Sequence, residues 1–163
     1  MTVKNYIASG ALDPANPKQK PLPAEETEGH VKFLVSTQET ANGDSITSTI
    51  KFGSIPSNAR ILRNSTLDYD AVTGLTDFDL GIGKTIGGVY DAKAPKALIN
   101  SADIHLAGSK AMTALDIANL PKAAWELAGY TQDPGGNVEI RGTFNAAPST
   151  AATITLTLLF ATP

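Results

Sequence analysis

No cysteine occurs among the 163 residues, so neither a disulfide framework nor a thiolate metal site can be built from this chain. That is compatible with assembly in a reducing cytoplasm. Charge is scarce too: 18% of residues are charged, the formal net charge is −3 and the pI is near 5.3. A nucleic-acid binder should carry a concentrated positive footprint, and this balance argues against one. No apolar run approaches the ~20 residues of a membrane span. Met1-Thr-Val-Lys-Asn5 lacks the apolar stretch of a Sec signal, so none is expected there. Aromatic residues amount to one Trp, four Tyr and five Phe, too few for a sugar-stacking platform.

Thr, Ser, Ala and Gly are plentiful instead, which suits a β-rich shell or interaction protein better than a helical enzyme. The length fits one domain with a real core. The most informative stretch runs from Lys51 to Gly83 and reads as three strands joined by two turns. Ile61, Arg63, Ser65, Leu67 and Tyr69 alternate with Arg60, Leu62, Asn64, Thr66 and Asp68. Phe78, Leu80 and Ile82 alternate with Asp77, Asp79 and Gly81. A period of two sends each set to one side of a pleated strand. Ile55-Pro-Ser-Asn58 and Thr73-Gly74 supply the turns.

The same grammar extends in both directions. Val31, Phe33 and Val35 alternate with Lys32, Leu34 and Ser36, and Asn42-Gly-Asp44 predicts a tight hairpin into Ile46–Phe52. Residues 84–101 read as a long loop with a short strand at Gly88-Val-Tyr90, and Ala102–Leu106 as another brief alternating run. Over 111–128 two readings stand: a short helix bracketed by Pro121 and Gly129 and packed by Trp125, or a strand beginning at Trp125. Asp133-Pro-Gly-Gly136 is a turn. Val138, Ile140 and Phe144 then lead through a loop at 145–150 to Ile154, Leu156, Leu158 and Phe160, a final hairpin whose last strand should be central, with threonines on its other face. About eight short antiparallel strands and at most one short helix make an all-β jelly roll or β-sandwich.

Residues 1–29 differ. Ala11–Pro23 holds four prolines and has no strand or helix period, so the segment should run extended. It is either a disordered tail or an arm that orders on a neighbouring subunit through Tyr6, Ile7, Leu12 and Leu22. The domain plan is therefore an arm at 1–29 and a β-sandwich domain at 30–163.

Few residues suggest chemistry. Gly81-Ile-Gly-Lys-Thr85 invites a phosphate-loop reading, but position 78 is Phe where the first glycine belongs and no helix should follow. Those glycines read as a strand end. The pairs Asp68/Asp70 and Asp77/Asp79 each send two carboxylates to one strand face. Gathered, the four could bind Ca²⁺ or act as a glycosidase acid pair; otherwise they form a solvated acidic face or pair with Arg60 and Arg63. His30 and His105 are far apart with no Ser or Cys motif, and read as surface residues. Trp125 reads as a core plug or subunit contact. Asn64-Ser-Thr66 is a formal glycosylation sequon that carries no weight without a secretion signal.

Four segments in order, Ser54-Ile-Pro-Ser-Asn-Ala-Arg-Ile-Leu62, Asp77-Phe-Asp-Leu-Gly-Ile82, Ala124-Trp-Glu-Leu-Ala-Gly129 and the Val138–Phe160 region, resemble small virion proteins of tailed bacteriophages. In particular the chain is similar to head decoration, or cement, proteins over residues 30–163. The resemblance implies a jelly roll or related β-sandwich that binds the major capsid protein on the capsid surface as a trimer or other cluster, is assembled in the host cytoplasm, and has no cofactor and no catalytic residue. The arm is not part of that pattern. Two other readings stand beside it: a head-fibre base or minor tail protein, and a calcium-assisted carbohydrate-binding module. An enzyme built on the four aspartates comes third.

Overall fold

A computed structural model describes residues 30–113 and 115–162. The arm, with Tyr6, Ile7, Leu12 and Leu22, lies outside the described residues. In chain order the elements are β1 (His30–Thr40), β2 (Thr49–Pro56), β3 (Arg60–Ile61), β4 (Thr66–Tyr69), β5 (Phe78–Ile86), β6 (Val89–Ala102), β7 (Gly108–Ala111), α1 (Ala124–Leu127), β8 (Asn137–Phe144) and β9 (Ala152–Thr162). One sheet has the order β1-β9-β4-β7 with β3 also on β9, and the other β2-β8-β5-β6. All pairings are antiparallel. Apart from the β5–β6 hairpin, the long connections cross from one sheet to the other, which is the jelly-roll arrangement of two facing sheets. The expected fold class is therefore found, with nine strands among the described residues.

The core fills the space between the sheets. Ile154, Leu156, Leu158 and Phe160 of β9 meet Phe78, Leu80 and Ile82 of β5 and Val138, Ile140 and Phe144 of β8, all buried. Each such side chain contributes about 1.5–3 kcal/mol of burial. Strand β9 is central, flanked by β1 on one side and by β3 and β4 on the other, with half-buried Thr153, Thr155 and Thr157 on its outer face. Phe78 and Phe144 pack with ring centroids 5.9 Å apart. Gly142 makes room for them: a Cβ there would lie 2.3 Å from Phe78 Cζ.

Several local expectations are corrected. Asn42-Gly-Asp44 does turn, with Asp44 N–H donating to Ala41 O and Gly43 at φ 91°, but no hairpin follows. β1 pairs with β9 and β2 with β8, so this turn crosses between sheets. The final β8–β9 segment is likewise a crossover and not a hairpin. The run 60–69 splits into β3 and β4 because buried Ser65 turns back, donating its hydroxyl to Leu62 O and Leu159 O. Ala102–Leu106 holds only the last residue of β6 and then a loop.

The loop expected at 84–101 is for the most part strand. β6 has 14 residues against nine in β5, and the register shifts three times between them. These bulges erase the two-residue alternation and accommodate Pro95. They also explain the glycines of the false phosphate loop. A Cβ on Gly81 would lie 2.2 Å from Ala94 O, and one on Gly83 2.4 Å from Asp91 O, so the glycines let β6 lie against β5. Of the two readings at 111–128 the helix holds, as the single turn α1. Its N–H at Ala123 donates to Glu126 Oε2 at 2.8 Å, and its buried residue is Ala124, while Trp125 is half-buried.

Candidate docking surface

The four aspartates do not gather. Asp68 and Asp70 lie on and just after β4, exposed on the outside of the first sheet beside an open hollow lined also by Tyr69, Gly108, Thr153 and Thr155. Asp77 and Asp79 belong to the other sheet, before and on β5. Asp79 is 2% exposed and fully occupied: it accepts from Asn145 Nδ2 at 2.6 Å and Ser101 N–H at 2.8 Å, with Lys96 Nζ at 3.6 Å. Asn145 also donates to Asp77 Oδ1. Neither Arg60 nor Arg63 pairs with a carboxylate among the described residues. Nor does any group of three or more His, Asp or Glu there converge as metal ligands. His30 starts β1, while His105 is exposed in the β6–β7 loop, bonded to Asp103, whose carboxyl that bond holds below its usual range.

The second sheet carries a different polar group on its outside. Glu139 is buried, and burial alone would raise its carboxyl pKa. Three donors reverse this: Lys51 Nζ at 2.9 Å, Arg141 Nη2 at 2.8 Å and Thr85 Oγ1 at 2.9 Å hold it below the ordinary value. The Arg141 guanidinium also lies over the Tyr90 ring at 3.9 Å. Through Glu139 this group ties β2, β8 and β5 together, and Arg141 over Tyr90 adds β6.

The first sheet's outer face is graded from end to end. Val31 stands opposite Ala161, Phe33 opposite Leu159 and Val35 opposite Thr157. Across β9 lie Arg60 beside Ala161 and Thr66 beside Thr157. Further along, Thr37 bonds Thr155 and Thr153 donates to Glu39, with Asp68 opposite Thr155. One end is thus apolar and the other polar and acidic. Phe33 is 76% exposed, and Val31 and Val35 are exposed with it. Their alternation is plain in the residues but their direction is not; inward-facing Leu34 sets it by packing onto Gly53 of β2, where a Cβ would lie 2.8 Å from Leu34 Cδ2.

The apolar end coincides with one set of loops. Trp125 N–H donates to Ser57 O, Ser57 N–H to Gly136 O, and Lys84 Nζ to Pro134 O and Gly135 O, which ties the β2–β3 turn, α1, the β5–β6 hairpin and the turn before β8 together. The hairpin tip exposes Ile86 and Val89, and the chain before α1 exposes Ile117. Sequence reasoning missed these three; Ile86-Gly-Gly-Val89, two apolar residues astride a turn, was the available signal. The other loop set is joined by Gly43 N–H to Pro148 O, Val72 N–H to Ile104 O and Asn145 N–H to Asp77 O. It holds Asp44, Asp70, Asp77 and Asp103.

No family model matches the sequence, and no curated protein matches it. Solved structures do. A chain of the capsid of Ralstonia phage GP4 aligns with a TM-score of 0.58 at 18% identity, over 90% of this chain and 92% of that one. A chain of the cyanophage Pam1 capsid asymmetric unit aligns with a TM-score of 0.53 at 16% identity, over 94% and 99%. At such identities the likeness is one of fold: a jelly roll of a kind present in phage capsids. No described helix is long and apolar enough to cross a membrane.

Proposed function

We propose that this chain is a structural protein of a bacteriophage virion, a decoration protein that binds the outside of the capsid as a trimer and stabilises it. The observation that carries the reading is the end-to-end match of one jelly roll to chains of two phage capsids. The partner is the major capsid protein, met by the apolar loop end with Ile86, Val89, Ile117 and the half-buried Trp125. In the arm at 1–29, Tyr6, Ile7 and Leu12 are the residues offered to a neighbouring subunit. The protein acts by binding and needs no cofactor. A ligand that recognises only the assembled shell stabilises it by mass action, and many copies of a modest contact hold firmly together.

The test is to mix purified protein with intact, expanded heads of the encoding phage and image them. Regular coverage of the lattice supports decoration. Occupancy at a few positions only would favour a head-fibre base or minor tail protein.

A further inference from the structure

The apolar end of the first sheet, Val31, Phe33 and Val35 with Leu159 and Ala161, lies along an edge strand, and exposed apolar edge strands are normally covered or blunted. Two cations stand near it, Arg60, opposite Ala161 on the same face, and Arg63, both exposed and without a carboxylate partner among the described residues. The 29 preceding residues enter at His30, the first residue of β1, directly beside Val31. The nearest of them read Leu22-Pro-Ala-Glu-Glu-Thr-Glu-Gly29: three carboxylates and one large apolar side chain, closing on a glycine that can reverse the chain.

We propose that residues 22–29 fold back over the outer face of their own sheet, with Leu22 on Phe33 and with Glu25, Glu26 and Glu28 facing Arg60 and Arg63. The reach suffices. Eight residues extend to roughly 25 Å, about twice the length of β1 from Val31 to Val35. A segment tethered beside its site also has an effective concentration near the millimolar range, which favours the same chain over a neighbour's arm. The segment Met1–Pro21 is then left free to reach other subunits. Nothing here depends on what the protein binds, so the capsid reading and this one can fail separately.

The absence of native cysteine gives a clean test in the full chain. Val31→Cys reports on the covered face and Val89→Cys on the hairpin tip. The Val31→Cys thiol should be alkylated at least about tenfold more slowly than the Val89→Cys thiol. Adding Leu22→Asp, or Glu25→Lys with Glu26→Lys, should bring its rate up to that of the tip. Circular dichroism checks that each variant keeps its β signature. Equal rates in the two single variants would overturn the proposal. So would protection that disappears on dilution, which marks a second copy as the cover, or protection that ignores both arm substitutions.

Discussion

Arg141 reaches back along β8 to Glu139, two residues away, and grips one carboxylate oxygen with both Nε at 2.9 Å and Nη2 at 2.8 Å. Residues two apart on a strand share a face, so this pair lies on the outer face of its sheet, and Lys51 and Thr85 complete it from the strands on either side. Because the carboxyl value is lowered on folding, its contribution is fully present above the ordinary value and is lost as pH falls through the folded one. The wild-type protein should therefore lose stability below about pH 4.5. Glu139→Gln should cost about 1–3 kcal/mol at pH 7 and shrink the difference between pH 7 and pH 3.5. Urea unfolding at both values measures it.

Gly142→Ala should destabilise by about 1–3 kcal/mol, since the new methyl meets the Phe78 ring. Phe78→Leu in the same chain should return part of that loss. Gly81→Ala should be worse, because the obstacle is the backbone at Ala94 and Pro95 and no side-chain rotation relieves it. Thermal melts of the three variants and the wild type rank these outcomes.

Asn145 binds Asp77 and Asp79 at once, so Asn145→Ala leaves buried Asp79 short of a donor and should cost about 1–3 kcal/mol. Calcium should not rescue it. The two aspartate pairs lie on different sheets, and millimolar Ca²⁺ should move the melting temperature of the wild type by less than about 1 °C. A clear calcium-dependent rise would revive the carbohydrate-module reading.

Ile86→Ser with Val89→Ser removes apolar area from an exposed tip and should leave the melt almost unchanged. Its affinity for heads should fall by about tenfold or more, equivalent to about 1.4 kcal/mol. Asp68→Asn with Asp70→Asn, on the outer face toward the opposite end, should bind as the wild type does. Titration of heads with labelled protein separates the two.

What the chain reveals in advance follows from what alternation encodes. β9 was legible because Ile154, Leu156, Leu158 and Phe160 alternate with Thr153, Thr155 and Thr157, and β5 and β8 because Phe78, Leu80, Val138 and Ile140 flank Asp79 and Glu139 in the same way. Alternation names two faces but neither which one is buried nor which strand lies alongside. Hence Val31, Phe33 and Val35 turned out to face outward, and Asn42-Gly43 joins two sheets. Of β6 only a short strand at Gly88-Val-Tyr90 was expected, since its bulges break the two-residue period beyond that point. The aspartates could be assigned to strands but not to sheets, and sheet membership decides whether they meet. The apolar loop end draws on the tip of one hairpin and the approach to α1, segments 28 residues apart between Val89 and Ile117, so the local pattern Ile86-Gly-Gly-Val89 could announce only part of it.

The most direct measurement is cryo-electron microscopy of intact heads incubated with the purified chain. On the decoration reading, added density should appear in regular clusters on the outer surface, fitted by this jelly roll with its Ile86–Val89 end toward the shell. Heads that remain bare at saturating protein, or density confined to the interior, would contradict it.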